Sequence, residues 1–197
     1  MISNHDRSNY IGASDTKYVM SNWNTNTFVK WWLKKQGIDT SHFNNKYTLA
    51  GTNYEHKIID ALEIKDIEKD NQFIKGRLRV NLDANTSNKI YEIKTFQYDY
   101  GFDLKKHQDY IQQVQVQMYC SNIHNAEIVA YGLKQKDYDN YFNDIDIDRL
   151  ERYEIEYDSY FIENMYLPRL RVLEECLING KLPKEEMLKE IINGYNK

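Results

Sequence analysis

Apolar residues Leu49, Tyr54, Ile58, Ile59 and Leu62 recur at the spacing of one helix face, which predicts an amphipathic helix over about 47–66 with Glu55 on or near its inner edge. Before it, Ser14 and Asp15 can cap a short helix that runs to about Asn22. Thr25 or Asn26 can cap another that carries Phe28, Val29, Trp31, Trp32 and Leu33 before Gly37. The period then changes. Residues alternate around Leu78, Val80 and Leu82 and again around Ile90, Glu92 and Lys94, so two strands are expected over 77–83 and 89–96, with Asn85 to Asn88 as their hairpin turn. Tyr110, Gln113, Val114, Gln117 and Met118 mark a helix over about 103–121, followed by an apolar strand AEIVAYG over 126–132 and a further strand over 152–157. Two closing helices over 160–180 and 184–193 are divided by Gly180 and Pro183. This order predicts an α/β (α+β) chain, a central mixed β-sheet flanked by helices, in one domain over 1–197 with a helical extension from about 158.

Composition supports a packed core. Of 197 residues 41% are hydrophobic, and 17 Tyr stand against 2 Pro and 8 Gly, so long elements with few breakers are expected. No run approaches the roughly 18 apolar residues of a membrane span, and the N-terminus MISNHDRSNY lacks the apolar segment of a signal peptide, which leads to the expectation of a cytoplasmic protein without a membrane partner. Cys120 and Cys176 are too far apart for a C-x-x-C metal spacing and read as small buried residues. Neither a P-loop nor a G-x-G-x-x-G fingerprint occurs, so any catalysis must come from side chains, with or without a metal. The net charge of −4 is unevenly spread. Residues 1–107 carry 16 basic against 13 acidic groups, whereas 108–197 carry 10 against 17, so a polyanion would meet the first half.

The segment LRVNLDANTSNKIYEIKT over 78–95 places Asp83 at the end of one strand and Glu92-Ile93-Lys94 on the next, where alternation sets Glu92 and Lys94 on one face. Two close carboxylates repel unless a cation sits between them, and Mg²⁺ is the usual occupant of such all-oxygen sites. A Lys beside it could orient or help deprotonate a water. An exposed strand pair with alternating charges has the same spacing.

Four blocks in order carry a resemblance: Arg7 with Ile11-Gly12-Ala13-Ser14-Asp15; Ala50-Gly51-Thr52-Asn53-Tyr54-Glu55; Asp83 with Glu92-Ile93-Lys94; and IQQVQVQMY over 111–119. Together they resemble the phage lambda exonuclease and viral recombinase (YqaJ-type) family of the PD-(D/E)XK nuclease superfamily. The likeness covers most of the chain and implies a restriction-endonuclease-like core. It also implies a Mg²⁺-dependent exonuclease, with Mn²⁺ as a substitute, that degrades one strand of double-stranded DNA 5′ to 3′ and leaves single-stranded DNA for an annealing partner. By the resemblance, Asp83, Glu92, the Ile93 carbonyl and Glu55 are metal ligands, Lys94 positions the nucleophilic water, and Gln113, with Gln115 or Gln117 as alternatives, holds that water or the DNA backbone. Arg7 and Ser14 would hold a 5′-terminal phosphate, and Lys30, Lys34 and Lys35 read as a solvated face or a phosphate-tracking patch. The family's members can form rings around DNA, which points to a homo-oligomer, a trimer by the resemblance.

Leu82 stands where the superfamily has Pro, and Ala84 where Gly is common, so the local turn is expected to differ. One alternative is a nuclease-fold protein that binds DNA or an inhibitory target without catalysis. Another is a RecB-like or CRISPR-adaptation-like nuclease, but two distant cysteines cannot build the four-Cys cluster many of those carry. His56, His107 and His124 show no ligand spacing and are expected to be structural or exposed, and the acidic run Asp137 to Asp148 reads as a solvated loop.

Overall fold

The structure, a computed structural model, describes residues 9–39 and 46–187. Arg7 and most of the second closing helix lie outside the described residues. After a 3₁₀ turn at Ala13–Asp15 come α1 (Thr16–Val19), α2 (Asn26–Lys35) and α3 (Lys46–Ala61). Then follow β1 (Glu68–Lys69), β2 (Gln72–Lys75), β3 (Leu78–Asn81), β4 (Ala84–Asn85) and β5 (Ile90–Gln97). The chain continues through α4 (Gln108–Ser121), β6 (Asn125–Leu133), α5 (Gln135–Asp139) and β7 (Leu150–Glu156) to a π-helical turn at Phe161–Tyr166 that leads into α6 (Leu167–Ile178).

Five strands form one mixed sheet in the order β1-β4-β5-β6-β7, with β5 and β6 parallel and the other neighbours antiparallel. Strand β6 is buried on both faces, as expected of a mostly apolar interior strand, and its one charged residue, Glu127, is ion-paired with Lys89 and Arg152. Alternation along β5 divides the core. Ile90, with Ala126 and Ile128 of β6, meets Val114, Val116 and Met118 of α4 and the ring cluster Trp23, Phe28, Trp31 and Trp32. Tyr91 and Ile93, with Val129, Tyr131 and Leu133, meet Ala50, Tyr54, Ile58 and Ile59 of α3. Helices therefore cover both faces of the sheet, and Glu92 and Lys94 point to the α4 side.

The expected hairpin between 77–83 and 89–96 does not form as drawn. Leu78–Asn81 pairs with Gln72–Lys75 in a separate two-stranded ribbon, and only Ala84–Asn85 pairs with β5, closed by a turn in which Thr86 N–H donates to Lys89 C=O at 2.8 Å. The reason is burial: Leu78, Val80 and Leu82 join the α4-side core, whereas Ala84 joins the α3-side core, so the chain must change layers between them. Asp83 sits at that change. Strands β1 and β2 were not expected from their short, charge-rich sequences.

The acidic run also departs from expectation. Asp137 is fully buried and bonded to Arg149 Nη1 at 2.6 Å, which ties α5 to the start of β7. Burial opposes its charge, but the Arg149 hydrogen bond outweighs that and holds its carboxyl below the usual range. Among the described residues no helix is long and apolar enough to cross a membrane.

Candidate active site

Strand β4 is only two residues long, so among the described residues the edge of β5 has no backbone partner on that side beyond Tyr91. Asp83 fills the gap: its Oδ2 accepts the Ile93 N–H at 2.8 Å. In a strand a residue's N–H and C=O point to the same edge, so the Ile93 carbonyl faces the same opening. Glu92, 2% exposed, is held on both oxygens. Its Oε1 accepts from Lys94 Nζ and from Gln113 Nε2, each at 2.6 Å, and its Oε2 accepts from Gln117 Nε2 at 2.6 Å. Gln113 and Gln117 stand one helical turn apart on α4 and so grip one carboxylate together. Lys94 Nζ also donates to Gln113 Oε1 at 3.3 Å. Gln115, by contrast, turns away and bridges the end of β7 through the Glu156 carbonyl and the Asp158 N–H.

The carboxylates sense one another. Burial, and then the charges of Glu92 and Glu55, push the Asp83 carboxyl well above the usual range, against the pull of Lys94 and the Ile93 amide. Glu55 on α3 is raised by burial and then by Glu92, with His56 opposing. Burial works against the charge on Lys94, yet Glu92 and Asp83 outweigh it and keep the ammonium above its ordinary value.

Glu55 has closer company that the sequence did not reveal. It lies with His56 and Asp70 in a group whose ligand atoms are all within 4.8 Å of one another, and His56 Nε2 is 3.1 Å from Asp70 Oδ2. Among the described residues Glu55, Asp83 and Glu92 do not form so tight a group. Asp70 follows Glu55 by fifteen residues and is delivered by the turn between β1 and β2, a pairing no local periodicity predicts.

A cleft of about 220 Å³ opens beside Asp83 and Gln113 and is also lined by Tyr10, Ser14, Lys35, Arg79 and Asn81. The Ser14 turn is not the helix cap expected. Asp15 folds back instead, accepting from Gly12 N–H at 2.7 Å, Trp31 Nε1 at 2.8 Å and Lys35 Nζ at 2.5 Å. Three donors on one buried carboxylate lock the turn to α2 and hold the Lys35 ammonium at the cleft wall. Thr25 caps α2 by accepting Phe28 N–H, and both Trp31 and Trp32 are core. Lys30 and Lys34 are exposed and do not line the cleft. Arg79, buried on β3, and Asn81 were missed, because the face of 77–83 opposite the apolar residues was read only for Asp83.

The sequence model of the YqaJ-like viral recombinase domain matches residues 4–124, more than half of the chain. The chain belongs to this family. The matched span takes in the 3₁₀ turn, α3, β5 and α4, and so every residue that meets at the opening in β5. Among solved structures the recombinase-type chain is similar to an alkaline exonuclease (LHK-Exo) from Laribacter hongkongensis, at 16% identity over 96% of this chain and 93% of that one, with a TM-score of 0.63. The same protein in complex with dAMP gives 17% identity over 95% and 92%, TM-score 0.63. A phage related exonuclease from Haemophilus somnus 129PT gives 13% identity over 94% and 96%, TM-score 0.59. At these identities the likeness is one of fold. No curated protein matches the sequence.

Proposed function

We propose that this recombinase-family protein is a metal-dependent DNA exonuclease acting on the ends of linear double-stranded DNA, with Mg²⁺ as its cation. The observation that carries the reading is the convergence of Asp83, Glu92, Lys94 and Gln113 at the stretch of β5 beyond the short β4. That exonucleases share the fold along nearly the whole chain supports it.

The donor set fits a hard divalent cation. Asp83, Glu92, Glu55 and the Ile93 carbonyl offer only oxygen; burial and then mutual repulsion raise Asp83 and Glu55, and a cation relieves that repulsion. When bound, the ion would supply an acidified water and a counter-charge for the phosphate. The protein's own residues do the rest. Lys94 has three donors, two of which go to Glu92 and Gln113; the third can meet an oxygen of the scissile phosphate, where negative charge grows. Gln113, fixed against Glu92, presents its amide to the attacking water. Lys35, Arg79, Ser14 and Asn81 line a cleft that suits a terminal phosphate, with Arg79 offering a fork and Lys35 a point charge. Lys30 and Lys34 would track the backbone from outside it.

The test uses end-labelled linear duplexes with 5′-phosphate or 5′-hydroxyl, in Mg²⁺ and in chelator. Wild type should shorten one strand of 5′-phosphorylated duplex only with the metal, and Lys94→Ala should lose about 10²–10³ in rate. Wild type that leaves every duplex intact in Mg²⁺ and in Mn²⁺ sinks the reading.

A further inference from the structure

Next to the carboxylates stands a stack of rings that the proposed reaction does not use. Tyr110, His107 and Phe102 form a compact group of near-parallel rings, with centroids 4.8 Å apart for Tyr110 and His107, 5.0 Å for His107 and Phe102, and 6.4 Å for Tyr110 and Phe102. Lys94 Nζ sits 4.7 Å from the centre of the Tyr110 ring. The group is tied to the sheet through Phe102, which packs on Phe96 at 5.3 Å and on Tyr153 of β7 at 5.6 Å. Phe96 follows Lys94 by two residues on the same face of β5. Gly132 on β6 makes room for this arrangement, since a Cβ there would lie 3.1 Å from Phe96 and 2.6 Å from Tyr98.

We propose that Tyr110 is a positioning residue for Lys94, its ring face fixing the ammonium against Glu92 and Gln113. The proposal rests on the nuclease reading, in which Lys94 acts on the phosphate. A lysine reaches its ammonium through four rotatable bonds, and without lateral support the head group samples many positions. Glu92 and Gln113 cannot give constant support, because in the proposed reaction one also holds the cation and the other the water. A ring face attracts an ammonium and offers no lone pair for a metal to take, so its hold persists through the cycle. Tyr110 and Gln113 are three apart on α4 and reach the same ammonium from one helix face. Stacking on both His107 and Phe102, which stack on each other, stops the Tyr110 ring from turning away.

Tyr110→Phe keeps the ring face and Tyr110→Leu removes it. The Leu variant should lose about tenfold in kcat with KM for duplex DNA nearly unchanged, while the Phe variant stays within about twofold of wild type. Mg²⁺ binding by calorimetry should match in all three, since among the described residues the hydrogen bonds to Glu92 and Asp83 come from Lys94, Gln113, Gln117 and the Ile93 amide and not from Tyr110. In protein carrying ¹³Cε-lysine, the Lys94 signal, assigned by its absence in Lys94→Ala, should be ring-shifted upfield in wild type and Tyr110→Phe and unshifted in Tyr110→Leu. His107→Leu, which unbraces the ring, should reduce both the shift and kcat, and it serves as the second variant if Tyr110→Leu does not fold. A Leu variant with wild-type kcat, a Phe variant as impaired as Leu, or an unshifted Lys94 signal in wild type overturns the proposal. Wild type that cuts no DNA yet shows the shifted signal overturns the nuclease reading instead and upholds the placement of Lys94 by Tyr110.

Discussion

Asp83 Oδ2 accepts the backbone N–H of Ile93 at 2.8 Å, across ten residues of chain and at the point where the partner strand stops. One carboxylate oxygen thereby replaces a backbone acceptor and anchors the whole side chain at the open sheet edge. This bond sets the first prediction. Burial and the neighbouring Glu92 and Glu55 charges raise Asp83, so the folded state holds this proton more tightly than the unfolded chain does. Such a group favours folding at acid pH, and the benefit is lost as pH rises through the raised value. Asp83→Asn can still accept from Ile93 but carries no charge. Its metal-free melting temperature at about pH 8 should exceed that of wild type, by scanning fluorimetry, and it should gain nothing from Mg²⁺.

The same sign governs the cation in wild type. Burial and the neighbouring carboxylates raise both Glu55 and Asp83 from their ordinary values, so protons compete with metal there. The rise in melting temperature on adding Mg²⁺ should be larger at about pH 8 than at about pH 6. An equal rise at both would mean that these two carboxyls do not meet the ion.

Gln117 is 1% exposed and supplies the only hydrogen bond to Glu92 Oε2 among the described residues. Gln117→Leu leaves that oxygen in place without its donor. The expected cost is about 1–3 kcal/mol in urea unfolding, and the expected fall in Mg²⁺ affinity by calorimetry is about 10- to 100-fold.

Lys35 and Arg79 flank the cleft beside Asp83. Each truncation to Ala should raise KM for 5′-phosphorylated ends by about tenfold and leave 5′-hydroxyl ends nearly unaffected, because a charged hydrogen bond of about 1.5–3 kcal/mol is lost only where the phosphate exists. Asp15→Asn, which frees Lys35 from its 2.5 Å ion pair, should act in the same direction.

The Asp137–Arg149 pair is buried on both sides and far from the cleft in role. Arg149→Leu should destabilise the fold by about 3–5 kcal/mol, and the double change Asp137→Leu with Arg149→Leu by much less, since the cost comes from the stranded charge. Asp137 is held below the usual range, so what it contributes is present above the ordinary carboxylate pKa and lost as pH falls through the lowered value.

Periodicity was enough to find α3, α4 and β6, because each is long and packs one continuous face or, for β6, both faces, but it overran the end of α3, which stops at Ala61, and the start of α4, which begins at Gln108 after a separate 3₁₀ turn. The same chemistry-bearing spacing made Asp83, Glu92 and Lys94 visible as candidates. Strands β1 and β2 were invisible, being two and four residues long and mostly polar. Asp137 looked solvated because nothing near it in sequence announces Arg149, twelve residues on, as its buried partner.

What the sequence determined by itself is the set of local periods and the order of charged groups along them, since those depend on residues a few positions apart. Tertiary structure alone decided where β3 leaves the sheet, and therefore that Asp83 meets the Ile93 amide. It also decided that Asp70 reaches His56, that Asp15 clamps Lys35, and that Tyr110 lies under Lys94. Each of these pairings joins elements whose faces are matched only when both cores close around the sheet, and closure is a property of the whole chain.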